Sequence, residues 1–194
     1  MSEQPQPVLL DSNAYFRLAR SIQPLLHGSF GTAPRYTLNV LADLDDEYRI
    51  SSRLKNKFEW VRDTEFVKDR QGKRYEVHRK KRQDVDAAFG YLAAYADEQN
   101  LSASRVDLKA LAVGFVMRIP VVTDDVNMQR VAEANSIECW NTIKLLKLMV
   151  TASHIDMEKV TEILEYLDDQ NDLPIPKDRL RREFREYFGV NCPI

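Results

Sequence analysis

Apolar and polar positions along the chain alternate between a short-run pattern and a helical stripe. Val8-Leu9-Leu10 is a short apolar run that ends at Asp11. Ser12 and Asn13, both good N-cap residues, follow it, and residues 14–22 read as a helix. Residues 24–34 read as a loop containing two glycines. A second strand-like run covers 36–41, and an acidic helical stretch runs from 42 to about 54. Residues 56–82 read as irregular, with Gln71-Gly72-Lys73 as the turn of a short hairpin. Residues 84–98 carry Val85, Phe89, Leu92 and Tyr95 on one helical stripe. A further helix is expected over 104–117. A β-branched strand run over 119–123 is then broken sharply by Asp124-Asp125. A helix over 126–135, a short strand over 137–140 and a helix from about 142 complete the alternating part.

Strands alternating with helices predict an α/β fold. Its core is a central, mainly parallel twisted sheet with helices on both faces and right-handed crossovers. The last 40 or so residues change character. Residues 156–167 form an amphipathic helix through Val160, Ile163, Leu164 and Leu167. Pro174 and Pro176 then break the chain before a basic helix carrying Leu180, Phe184 and Phe188 on one face. The expected organisation is an α/β domain over 1–150 and a C-terminal helical hairpin over 151–194.

Composition narrows the class. The chain has 194 residues, 44% of them hydrophobic and 30% charged, so it needs no staple to build a core. Two cysteines, Cys139 and Cys192, without a CxxC pair argue against a structural zinc site or a disulfide scaffold. No apolar stretch reaches the length of a membrane span, and the opening MSEQPQP is polar and unlike a secretory signal. A reduced, cytoplasmic protein is the expectation.

The net charge of −2 hides an asymmetry. Residues 49–82 hold 13 Lys and Arg against 5 Asp and Glu, and the rest of the chain holds 15 against 25. A basic strip of this kind, including Arg53, Lys55, Lys57, Arg79, Lys80 and Lys81, suits a polyanion or equally a solvated helix face. Phe58, Trp60, Phe66 and Tyr75 are interleaved with it, and suit either base stacking or a satellite core.

Ligands of open α/β sheets bind beyond the carboxyl ends of the strands. Two strand runs end there in acids, at Asp11 and at Asp124-Asp125. Ser104 and Asp107 have the spacing of a capping box, and Asp107 also opens a stripe with Ala110, Leu111 and Gly114. Glu47 shares the stripe of Leu44, Ser51 and Leu54, with Asp43, Asp45 and Asp46 as competitors for an inward position. Clustered carboxylates repel one another unless cations bind, and all-oxygen ligands suit Mg²⁺ or Mn²⁺. His27, His78 and His154 are scattered and assemble no catalytic pair.

Three stretches together resemble the PIN-domain nuclease family, including its VapC-toxin-like ribonucleases. They are Val8 to Asn13, then Ser102 to Asp107 leading to Val121 through Met128, and Ala132 to Trp140. The likeness extends over residues 7–150 in patches. It implies a PIN-like three-layer α/β/α fold and a metal-dependent endoribonuclease with Mg²⁺ or Mn²⁺ on Asp11, Glu47, Asp107 and Asp125, and Asp124 as an auxiliary ligand. It also implies that Ser12, Asn13 and Thr123 orient the phosphate, and that RNA, an antitoxin protein and a second copy are partners. Asn127 stands where many members carry another acid, and 49–82 resembles an insertion. The competing functions are a catalytically weak nucleic-acid-binding or scaffold module and a small phosphatase. A haloacid-dehalogenase-like phosphatase needs an acid where Asn13 stands.

Overall fold

The computed structural model describes residues 4–194; the first three residues of the polar start lie outside the described residues. Strand β1 (Gln6–Leu10) leads through α1 (Ser12–Leu18) to a two-residue strand β2 (Ser29–Phe30) and then to β3 (Tyr36–Asn39). Three short helices follow, α2 (Asp43–Ile50), α3 (Ser52–Lys57) and α4 (Thr64–Gln71), and then the long pair α5 (Arg82–Glu98) and α6 (Arg105–Met117). Next come β4 (Val121–Val122), α7 (Val126–Ala134), β5 (Cys139–Trp140) and α8 (Thr142–Thr151), before α9 (Met157–Asp169) and α10 (Lys177–Phe188).

The five strands lie in the order β2-β3-β1-β4-β5. All neighbours are parallel except β2 and β3. The chain leaves β1 to build one side of the sheet, then returns to build the other from β4. The crevice beyond the carboxyl ends of β1 and β4 is therefore the topological switch point.

The strand pleat decides which side chain enters which layer. Val8 and Leu10 of β1 and Val122 of β4 enter one hydrophobic cluster, with Phe16, Leu145 and Leu164. Leu9 and Val121 enter the other, with Leu92, Leu111 and Val131. Helices thus cover both faces, as the strand–helix alternation predicted, and the architecture is a three-layer α/β/α fold. The apolar stripes of α9 and α10 (Val160, Ile163, Leu164, Leu167, Leu180 and Phe184) lie in the same cluster as Val8 and Leu10. The C-terminal helices therefore pack on the sheet layer itself. Gly114 permits the close seating of α6 on β4, since a Cβ there would lie 2.5 Å from Val121 Cγ2.

The structure departs from the sequence reading between residues 42 and 82. The acidic helix breaks at Ser51, whose hydroxyl caps the next helix by accepting from Leu54 N at 3.2 Å. The expected hairpin around Gly72 is absent: Gln71 ends α4 and Gly72 is its cap. The segment beyond it instead bridges Val40, with Tyr75 N donating to Val40 O at 2.8 Å and Val40 N to Lys73 O at 3.2 Å. Short β-prone runs pair with whichever strand end lies open, and here that is the end of β3. In the opposite direction, Ser29-Phe30, read as loop, pairs with β3 as an antiparallel edge.

Candidate active site at the carboxyl edge of the sheet

Asp11 leaves β1 directly opposite Thr123, because Leu10 pairs with Val122 and Asp11 N donates to Val122 O at 3.0 Å. Its carboxylate caps α1, with Oδ1 accepting from Ala14 N at 2.5 Å. Asp11 is buried, and that desolvation pushes its pKa up from 3.8 to about 7. Hydrogen bonds from Thr123 and Ala14 oppose the rise, while the charges of Asp124 and Asp107 add to it.

Asp107 approaches from the other side of the same cleft. Ser104 and Asp107 form the expected capping box, with Asp107 N donating to Ser104 Oγ at 3.2 Å and Ser104 N to Asp107 Oδ2 at 3.0 Å. The cap and the inward position are compatible. Asp107 lines a narrow cleft of about 10 Å³ with Asp11, Ser12, Leu41 and Val106, room for about one water. Desolvation, with help from the charge of Asp125, raises the Asp107 pKa. Asp125 itself caps α7, accepting from Met128 N at 2.8 Å, and its own N–H donates to Thr123 Oγ1 at 3.1 Å. Asp107 thus lies within electrostatic reach of both Asp11 and Asp125.

Asp124 takes a different direction. One residue further along the pleat than Thr123, it turns to the opposite layer. There Oδ1 accepts from Thr142 N at 2.9 Å, and Oδ2 accepts from Thr142 Oγ1 at 2.6 Å and from Arg17 Nη1 at 3.2 Å. Burial raises its pKa, and those bonds and the Arg17 charge oppose the rise. Asp124 is therefore engaged by structural partners through both carboxylate oxygens. Arg17 and Thr142 were missed in the sequence because their partner lies far away along the chain.

Among the four acids of α2, cations engage three. Asp43 pairs with Lys109 at 2.8 Å, Asp45 with Arg70 at 2.9 Å and with Arg74, and Asp46 with Arg49 at 2.9 Å. Glu47 is the exception. Its Oε2 is shielded from solvent and has no hydrogen-bond donor. An orphaned buried carboxylate oxygen calls for an ion or a water.

No three His, Cys, Asp or Glu side chains among the described residues are gathered as a cage built wholly of protein ligands would need. Mg²⁺ commonly uses only one or two carboxylates, keeping its waters and taking substrate phosphates. The hard, all-oxygen donors Asp11 and Asp107 across a water-sized gap fit that mode of binding.

The remaining site residues divide. Ser12 is buried beside Asp11 in the cleft, Asn13 is exposed, and Thr123 is buried with its hydroxyl between Asp125 N and Met128 Sδ. The basic strip is not one surface. Arg53, Lys55 and Lys57 belong to α3, whose Leu54 packs into the layer opposite α5, and Lys57 is committed to Asp172 at 2.7 Å. Arg79, Lys80 and Lys81 lie exposed at the start of α5, over the other layer. Arg70 is buried, bonded to Asp45, the Tyr15 hydroxyl and Val61 O, so it serves the fold. Phe58 and Phe66 are core: Phe58 stacks on Phe16 at 5.0 Å, and Trp60 packs on Phe66 at 4.4 Å. The core reading therefore replaces base stacking for Phe58 and Phe66, while Trp60 and Tyr75 are each half-buried at the edge of a cluster. Among the described residues, no helix is long and apolar enough to cross a membrane.

No family model matches the chain, and no curated protein matches it. Among solved structures, FitAcB from Neisseria gonorrhoeae is similar at a TM-score of 0.45 and 15% identity, covering 70% of this chain and 97% of that one. A similarity of that size carries no inference about function, so the functional reading rests on the chain's own geometry.

Proposed function

We propose that this chain is a Mg²⁺- or Mn²⁺-dependent endoribonuclease of the PIN type. The observation that carries the reading is that Asp11 and Asp107 face each other across the cleft at the switch point, both held at raised pKa by burial and by neighbouring acids. Unneutralised acids crowded at a ligand-binding edge are costly to the fold and therefore point to a function that uses them. Asp11 and Asp107 would hold the ion across their cleft, and Glu47 Oε2 supplies a further free oxygen at the neighbouring helix. When bound, such an ion supplies a water activated for attack and charge neutralisation at the phosphodiester. Asp125 fixes the turn after β4 through its cap on α7, and Thr123 ties that turn to Asp11. Ser12 presents its hydroxyl in the cleft, positioned to orient a phosphate. The exposed run at Arg79–Lys81 attracts the RNA backbone, so binding weakens with salt. An antitoxin protein and a dimeric state belong to the same proposal through the resemblance.

The test is cleavage of end-labelled total RNA by the purified protein with Mn²⁺, with EDTA, and with Asp11→Asn. Cleavage that requires both the metal and Asp11 supports the enzyme. No cleavage with any divalent ion, from folded protein freed of partners, sinks it. Asn127 favours a second reading, a nucleic-acid-binding module: in place of an acid, its amide donates to Ser102 O at 3.0 Å and serves the fold. RNA binding without any thermal stabilisation by Mn²⁺ would select that module.

A further inference from the structure

A groove leads away from the acidic cleft. Two adjoining cavities, of about 420 and 280 Å³, share Asp43, Val85, Asp86 and Lys109. The larger shares Leu41 with the cleft of Asp11 and Asp107, and the smaller shares Val106 with it. One wall is the segment around Tyr75, pinned by the Val40 backbone bonds and by the Arg74–Asp45 ion pair. The floor is apolar, with Val77, Val85 and Val113, and Tyr75 stands at its side. At the other end Arg105 lies over the Phe89 ring at 5.2 Å.

The charge arrangement favours a nucleic acid over a peptide as occupant. The run Arg79-Lys80-Lys81-Arg82 is exposed and enters the groove at Arg82. Within it only Lys81 forms an ion pair among the described residues, with Asp84 at 2.9 Å. Inside the groove Asp43 is consumed by Lys109, while Glu76 and Asp86 line the larger cavity as acceptors. Cations outside, an apolar floor with an aromatic ring, and carboxylate acceptors at the edge match a phosphate, a base face and an exocyclic amino group in turn. A paired base in a duplex cannot enter such a pocket.

We propose that this groove binds one unpaired, amino-bearing nucleobase of a single-stranded RNA, stacked on Tyr75 and presented next to the acidic cleft. The proposal takes its ligand class from the ribonuclease reading but is read out separately from cleavage. The experiment is fluorescence anisotropy in EDTA with labelled oligo(A), oligo(C), oligo(U) and a matched duplex, on the wild type, Tyr75→Ala and Tyr75→Phe. Oligo(A) and oligo(C) should bind more tightly than oligo(U) or the duplex. Tyr75→Ala should weaken them about tenfold or more, the loss of one base-stacking surface, and Tyr75→Phe should retain binding. Unchanged thermal melting of the variants excludes a folding defect as the cause. Binding that ignores Tyr75, as it would if the groove held a protein segment, overturns the proposal, and so does oligo(U) binding as tightly as oligo(A). Tyr75-dependent binding without cleavage under Mn²⁺ sinks the enzyme and supports the subsite. Cleavage with Tyr75-independent binding does the reverse.

Discussion

Replacing Asp11 by Asn should make the protein more stable at neutral and alkaline pH. Asn caps a helix about as well as Asp, so the bond from Ala14 N survives the change. What disappears is a buried charge. The unfolded chain loses the Asp11 proton near 3.8, and the folded chain keeps it to about 7. Between these values the native state binds the extra proton, so stability falls as pH rises through that window. At 1.36 kcal/mol per pH unit the full penalty above pH 7 is on the order of 4 kcal/mol. The weaker hydrogen bonds of an amide reduce the net gain to about 2–4 kcal/mol. For a chain of this size that raises Tm by roughly 5–15 °C. The assay is urea unfolding followed by circular dichroism at pH 4, 6 and 8, wild type against Asp11→Asn. The difference should be small at pH 4 and grow to its full value by pH 8. A difference that stays constant with pH, or a variant less stable at pH 8, would refute the reasoning. Mg²⁺ or Mn²⁺ at pH 8 should stabilise the wild type, by about 2.7 kcal/mol at a hundredfold excess over Kd, and leave Asp11→Asn unmoved.

Glu47→Gln should abolish most RNA cleavage while leaving urea stability unchanged or slightly raised, since Oε2 has no donor to lose; a stability loss above about 1 kcal/mol would show a hidden structural bond. Arg17→Ala should cost about 3 kcal/mol by stranding the Asp124 charge, and Asp124→Asn in the same chain should recover part of it, measured as a double-mutant cycle. Gly114→Ala should destabilise by about 1–3 kcal/mol through the clash with Val121 and Ile119 O, read as a lower Tm. Cys139, whose thiol burial pushes up to about 12, should resist alkylation at pH 8 in the folded protein and react once it is unfolded in urea.

Where a feature depends on residues close in the chain, the sequence was sufficient to read it. The apolar run ending at Asp11 and the run ending at Asp124-Asp125 marked two parallel strand ends. The Ser104–Asp107 spacing marked the cap that the structure contains. The stripes on α5, α9 and α10 marked their buried faces. These are consequences of periods of two and 3.6 and of backbone groups that must be capped locally. The hairpin around Gly72 failed for a related reason. A turn signal says where the chain bends, but the pairing partner of the next β-prone residues is a tertiary matter, and here Val40 was available.

Only the tertiary structure decided which acids are committed to structural partners. Asp124 and Asp125 are adjacent and chemically identical, yet the pleat delivers Asp124 to Thr142 and Arg17 while Asp125 caps α7 near Asp107. On α2, the ion pairs of Asp43, Asp45 and Asp46 are made with Arg49, Arg70, Arg74 and Lys109, three of them distant in sequence, and Glu47 is distinguished by lacking one. The basic strip was contiguous in sequence and is divided between two layers in space. Local propensity and periodicity fix the direction of a side chain relative to its own element. Which charge neutralises it, and which cavity it borders, depend on elements brought together only when the sheet closes over both cores.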